Sequence, residues 1–492
     1  MDKRRGSAPA HVDEVGSFDH EVDVLVVGFG CAGAAAALEA AAAGSEVIVL
    51  ERASGPGGSS AMSGGELYLG GGTPVQQACG FEDSAENMYA YLSAALGPNA
   101  DDAKIRLYCE GSAEHFDWFT KHGITFNPGM YESPSWMPPT RDGLMWLGEN
   151  AWPYNEVARA VPRGHRPDAE SFGGWLIMER LVAAAGDAGV QTHTDTLASR
   201  LVLDETGAVI GVIARKFGKQ VSYRARKAVV LTTGGFVDNE EMLLAHAPVL
   251  SGHGKVSDGL DDGSGITMGL AIGAAVRRMS NTQIALSVVP GMICRGMLVN
   301  TLGQRFINED VYPGLASVAA VRHQEGRCWV IIDQQGFEEM PEADRWGVRP
   351  SHVCESVAEL EQELGMPAGA LETTIATYNE HAANGEDPYF HKSSTWLRPL
   401  EGPFAAMDPS TAFPAVVGEG GGSGHGISGF TLGGLHTTVD GEVVDLAGDV
   451  IPGLYAAGRA SAGMHGDGYI SGTSLGDGTF FGRRAGRAAA AH

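Results

Sequence analysis

The residues most suited to chemistry lie near the C-terminus, in HGDGYISGTSLGDGTFFGRRAGR, which begins at His465 and sets seven glycines around Tyr469 and Ser471. In an extended segment, side chains at i and i+2 leave the same face. A phenol and an alcohol so placed can address a carbonyl oxygen and the carbon beside it. A hydroxyl donor stabilises the negative oxygen that develops when a proton leaves an α-carbon. A serine near that carbon needs an activating neighbour, because an isolated serine is too weakly basic at neutral pH. Tyr469 also fits a packed aromatic and Ser471 a turn hydroxyl, and His465 reads as structural. Farther on, Ser474 fits a helix N-cap, with Asp477 three residues later in a capping-box spacing. The helix then opens near Leu475, and its free N–H groups suit a bound group that gains negative charge. Ser474 and Leu475 are therefore ligand-contact candidates.

The elements that position such a site begin with VDVLVVGFGCAGAAAALEAAAAGSEVIVLERA, from Val22. A buried strand runs into Gly28-x-Gly30-x-x-Gly33, an alanine-rich helix follows, and a second strand ends at Glu51. The first glycine allows the tight turn, the second lets the backbone approach a pyrophosphate, and the third permits close helix–strand packing. The helix N-terminus faces the phosphates, with Cys31 and Ala32 in its first turn. Glu51 is spaced to accept ribose hydroxyls, with Arg52 beside it. A second small-residue segment, RASGPGGSSAMSGGELYLGGG, supplies Ser59, Ser60, Ser63, Gly64 and Gly65. A nicotinamide dinucleotide has no need of it, whereas the ribityl chain and ring system of FAD do. Gly234 in AVVLTTGGF, Gly458 in IPGLYAAGRAS and Ala198 in the strand-like DTLASRLVL complete the expected FAD contacts. No histidine lies between Asp23 and Met88, so a histidyl link there is excluded and noncovalent FAD is expected. No second GxGxxG is present, so an external electron acceptor is expected as partner.

Cofactor elements on both sides of the middle of the chain imply an α/β fold with a discontinuous Rossmann-like domain. Its expected segments are 21–279 and 402–492, with an α+β substrate cap inserted at 280–401 and a mobile tail at 1–20. The aromatic and methionine-rich stretch Gly129 to Tyr154 fits either core or an apolar pocket. The 492 residues carry a formal net charge of −26, which argues against nucleic acid and anionic membrane surfaces as partners. Six scattered cysteines without a C-x-x-C pair read as reduced core thiols in a cytoplasmic protein. The first residues contain no apolar core of a signal peptide, and no apolar run is long enough to span a membrane. Seventy glycines, about twice the usual ~7% share, mark many close backbone approaches. The GGGSGHG run and His436 read as turns beside the cofactor.

GFGCAGAAAALEAAAAG, VIVLE, GGSSAMSGG, GQRFINED, GLYAAG and the final glycine-rich segment together resemble the fumarate reductase/succinate dehydrogenase flavoprotein superfamily. Within it, GYISGTSLGDGTFFGRRAGR resembles the 3-ketosteroid dehydrogenases, and most of all their Δ4-(5α) branch. Fumarate-reducing members carry an arginine where this chain has Tyr469. They carry a second arginine three residues after the glutamate of the cap motif, where Glu309 is followed by Tyr312. Loss of two cations weakens dicarboxylate binding, while a phenol suits a neutral ketone. The resemblance implies that Tyr469 holds a steroid 3-oxo group, that Ser471 takes the α-proton, that Tyr312 passes it outward, and that flavin N5 accepts hydride from C5. An alkene reductase using Arg295, Arg305 or Arg322 for a carboxylate, a Δ1-dehydrogenase, and a flavin-carrying redox subunit are the competing readings.

Overall fold

The computed structural model describes residues 8–410 and 426–492. Its framework is a nine-stranded mixed sheet. The strand His20–Val27 is all but apolar from Val22 onward and pairs in parallel with Val47–Leu50 on one side and Lys219–Leu231 on the other. Lys219–Leu231 also pairs in parallel with Val450–Ala456, and its first half runs antiparallel to Val209–Lys216. The register aligns the strand ends: Val27 is opposite Leu50 and Leu231, and Leu231 is opposite Ala456. Gly28, Glu51, Thr232 and Ala457 therefore leave the sheet along one carboxyl edge, the place where open α/β sheets bind ligands.

The helix Cys31–Ala42 packs against this sheet with Ala34, Ala35, Ala36 and Ala37 fully buried. On its other flank lies the C-terminal helix Thr473–Ala491. A Cβ on Gly482 would stand 2.5 Å from Ala32 O, and one on Gly486 would stand 2.2 Å from Ala36 O. Glycines one helical turn apart thus face alanines one turn apart, and the two backbones nearly touch. That contact brings the start of the last helix, and Tyr469 and Ser471 just before it, beside the first βα turn.

The cap carries an antiparallel sheet of Met297–Asn300, Cys328–Asp333, Phe404–Met407 and His352–Cys354. Phe404–Met407 belongs to that sheet, so the cap fold extends past the expected boundary at 401. The strand Thr282–Leu286 pairs with Ile427–Thr431, which also pairs with Gly254–Lys255, so both connections to the cap run side by side. The expected tail also needs correction. Ala10 is fully buried and pairs with Val202, and His20 begins the first strand of the cofactor domain. An apolar residue inside the basic and polar leader supplies this extra edge strand. Residues 1–7 and nearly all of the GGGSGHG run lie outside the described residues. No helix among the described residues is long and apolar enough to cross a membrane.

Gly486→Val must push two helices apart against a backbone carbonyl. Overpacking of this kind costs about 1–3 kcal/mol, so the variant should unfold at a lower temperature than wild type in a thermal melt. An unchanged midpoint would show that the helix pair does not limit stability.

Candidate active site

A cavity of about 740 Å³ runs from the carboxyl edge of the large sheet to the underside of the cap. At the sheet end its wall includes Gly28, Gly30, Cys31 and Ala32, then Glu51 and Arg52. Ser59, Ser60, Ser63 and Gly64 line the next stretch, with Ala198, Gly234 and Gly458 around it. Ser474 and Leu475 lie farther on, and Tyr312, Tyr469 and Ser471 share the same space. Gly33 and Gly65 stand back from the cavity. A Cβ on Gly33 would fall 2.0 Å from Gly28 O, and one on Gly65 would fall 2.5 Å from the Gly173 carbonyl carbon. Both serve packing.

The sheet end fits FAD on its own geometry. Gly28 has φ +100°, and a side chain there would meet Thr232 O at 2.5 Å, so the turn admits glycine alone. Gly30 caps the helix Cys31–Ala42 without a side chain, leaving amides free for phosphate. Ser60 Oγ accepts from the Cys31 amide at 3.1 Å. Glu51 is buried, and its two oxygens accept from the Phe29 and Ala53 amides at 2.9 and 2.8 Å. The carboxylate is thereby locked at the end of its strand, with lone pairs left for hydroxyl donors. Thr233 Oγ1 on the wall is buried without a protein partner.

Sequence reasoning missed Asp261 and Arg459. They form an ion pair at 2.5 Å on the cavity wall, joining segments almost two hundred residues apart. Burial raises the pKa of Asp261, and Arg459 opposes that rise. Arg459 directly follows Gly458, a neighbourhood that could have pointed to it, but its partner lies in an acidic turn that carries no motif.

The cap end carries the hydroxyls. Tyr312 precedes Pro313 at the start of the helix Pro313–His323, and its hydroxyl shares a hydrogen bond with Ser471 Oγ at 2.9 Å. Tyr312 is 1% exposed, and burial raises its pKa. Tyr469 has its pKa raised well above the usual phenol value, by burial first and then by Tyr312 and Glu66. Its ring stacks on His465 at 5.5 Å and meets the edge of Phe430 at 5.5 Å. His465 is buried and bonds Thr473 Oγ1 at 2.8 Å. Burial, then Arg278 and Lys104, push its pKa down to about 3, so it is a neutral support for the Tyr469 ring. Trp136 and Met137, from the aromatic stretch, line the same space.

The expected cap on the last helix is corrected. Gly472, with φ +83°, occupies the N-cap, and the helix starts at Thr473. Ser474 is therefore already inside the first turn. Asp477 accepts from the Met464 amide at 2.9 Å instead of closing a capping box. His436 bonds Arg277 at 3.1 Å and is not on the cavity wall. All six cysteines are free thiols.

A fold in which dinucleotide turn, cap and C-terminal helix meet at one cavity is that of a flavin-dependent oxidoreductase. The chain belongs to the FAD binding domain family, whose model matches residues 23–475. It binds FAD and stands in the fumarate reductase/succinate dehydrogenase superfamily that its motifs resemble. A crystal structure of 3-ketosteroid-Δ4-(5α)-dehydrogenase from Rhodococcus jostii RHA1, in complex with 4-androstene-3,17-dione, is 46% identical. It matches over 98% of this chain and 99% of that one, with a TM-score of 0.93. A 3-oxo-5-alpha-steroid 4-dehydrogenase of Comamonas testosteroni is 27% identical over 89% of this chain and 92% of its own. A probable fumarate reductase of Shewanella frigidimarina is 28% identical over 95% of this chain and 75% of its own.

Glu51→Ala would strip the Phe29 and Ala53 amides of their acceptor, at about 1–3 kcal/mol for each buried donor left unpaired. The purified variant should show a lower flavin-to-protein absorbance ratio than wild type. Equal ratios would mean that Glu51 does not hold the cofactor turn.

Proposed function

We propose that this protein is an FAD-dependent 3-ketosteroid dehydrogenase that introduces the C4–C5 double bond into 3-keto-5α-steroids. The observation that carries this reading is the part-buried Tyr312–Ser471 hydrogen bond of 2.9 Å beside Tyr469 in the cavity. The similarity to the Rhodococcus enzyme supports the same substrate class.

Tyr469 donates to the C3 oxygen. Because burial raises its pKa, the phenol stays protonated and stabilises the oxygen as enolate charge develops. Ser471 stands two residues on and takes the proton from C4 while its own proton moves to Tyr312. That hydrogen bond supplies the activation an isolated serine lacks. Bound FAD, held noncovalently, supplies the acceptor for the hydride leaving C5. Trp136, Met137 and Phe430 give the walls apolar surface for a steroid skeleton and keep water from the enolate. Reducing equivalents then pass to an external acceptor.

A carboxylate-binding reductase has less support. Arg295, Arg305 and Arg322 are not on the cavity wall. Arg305 is held by Glu309 at 2.6 Å and Asp387 at 2.8 Å. Where the wall does carry Arg52 and Arg459, each is paired with an aspartate.

Anaerobic enzyme should lose its oxidised-flavin absorbance on mixing with 5α-androstane-3,17-dione and keep it with succinate. Failure of every 3-keto steroid to reduce the flavin would overturn the reading. Tyr312→Phe, Tyr469→Phe and Ser471→Ala should each retain FAD and lose about 100-fold or more in flavin reduction rate. Wild-type rates in all three would move the chemistry elsewhere.

A further inference from the structure

A proton that reaches Tyr312 cannot stay there. The Tyr312 side chain is enclosed, and a neutral phenol does not hold a second proton at physiological pH, so its own proton must leave as the new one arrives. Glu309 is near in sequence but already committed. Arg305 approaches it at 2.6 Å, Lys392 at 3.2 Å, and the Leu298 amide donates to it at 3.2 Å. Burial acts to raise its pKa, yet these cations hold it below the ordinary carboxylate value.

Glu66 is differently placed. It is 8% exposed, its Oε1 is buried without a hydrogen-bond partner, and it lines the same cavity wall as Tyr312, Tyr469 and Ser471. Its backbone lies under the turn that carries Ser471, since a Cβ on Gly472 would fall 3.1 Å from the Glu66 carbonyl carbon. Its charge acts on both Tyr312 and Tyr469. The cation that acts on Glu66 is Arg166, which is 1% exposed and whose Nε is also buried without a partner. The remaining guanidinium nitrogens of Arg166 reach Thr140 O and Met137 Sδ. A buried carboxyl with an open oxygen, on the same wall as the Tyr312 and Ser471 hydroxyls, is suited to accept a proton through one bridging water.

We propose that Glu66 is the proton acceptor behind the Tyr312–Ser471 pair, receiving from the Tyr312 hydroxyl, through one water, the proton that substrate desaturation releases. This rests on the dehydrogenase reading above. The C4–H bond breaks and its electron pair stays on the substrate as the enolate. Ser471 gains that proton and gives its own to Tyr312, Tyr312 gives its own to the water, and the water gives one to the Glu66 carboxylate. Serine, tyrosine and water end as they began, and Glu66 ends as the neutral acid, to be deprotonated by solvent. No electrons move along the relay, and the oxidation is the hydride transfer to FAD.

Glu66 must be ionised to accept. Burial, against the opposing Arg166, raises its pKa above the ordinary glutamate value, so the rate should fall as pH drops through that raised value. Burial pushes the tyrosines acting with it upward and His465 behind Tyr469 down to about 3, so neither produces this limb.

The test is the pH profile of anaerobic flavin reduction by 5α-androstane-3,17-dione in holoenzyme. Wild type should show an acid limb. Glu66→Gln should keep its FAD spectrum and its affinity for 4-androstene-3,17-dione, reduce about 100-fold more slowly, and lack the limb. Glu66→Asp should recover part of the rate with the limb displaced. A protonated-carboxyl band that grows as pH falls in wild-type infrared difference spectra should be missing from Glu66→Gln. A glutamine variant with wild-type rate and profile would overturn the assignment while leaving the dehydrogenase reading intact. If that variant loses FAD, an unchanged limb in Glu66→Asp overturns it equally. Absence of flavin reduction in wild type would instead remove the dehydrogenase reading and the relay with it.

Discussion

The near contact between the helices Cys31–Ala42 and Thr473–Ala491 is the constraint on which the rest of the structure depends. Gly482 and Gly486 bring one helix backbone against the carbonyls of Ala32 and Ala36 in the other. Packing at this distance leaves no room for a methyl group, so dispersion is gathered from backbone atoms along both helices. The result is geometric. The segment that carries Tyr469 and Ser471 is tethered to the turn that begins at Gly28, although more than four hundred residues separate them in the chain.

The cap supplies the third side. Tyr312 sits where the helix Pro313–His323 begins, and Gly148 packs against its backbone, since a Cβ there would lie 2.5 Å from Tyr312 N. Arg305 and Glu309, a few residues earlier, form a buried charge cluster with Asp387 and Lys392 from much later in the chain. Removing one member of such a cluster leaves an uncompensated charge, which makes its arrangement hard to disturb. Glu309, the glutamate of the cap motif, is part of that support. The cap edge presents the Tyr312–Ser471 hydroxyl pair to the cavity, and burial keeps the phenols neutral.

Much of this was legible in the residues. The strand, glycine turn, helix and Glu51 were readable because each follows from local rules of spacing and period. Tyr469 and Ser471 stand out in the sequence because two hydroxyls at i and i+2 in a glycine-rich segment have few local reasons to be there, and the fold sets both on the cavity wall. Ser474 fits a local N-cap pattern, but the chain turns at Gly472, whose positive φ favours glycine, and the helix starts at Thr473, which leaves Ser474 inside the first turn. Asp477, taken for a capping partner, was claimed by the distant Met464 amide. The tail was misread because the pairing of Ala10 with Val202 is nonlocal.

Sequence alone thus determined the cofactor class, the discontinuous α/β design and the hydroxyls available for chemistry, since these rest on residue type and short-range spacing. Tertiary structure decided which groups meet. The Tyr312–Ser471 hydrogen bond, the Asp261–Arg459 pair, the commitment of Glu309 to cations and the open oxygen of Glu66 all join or separate residues far apart in the chain. Burial and partner charge are properties of the folded surroundings, so no local pattern could show which carboxylate is spent on structure and which is left facing the cavity.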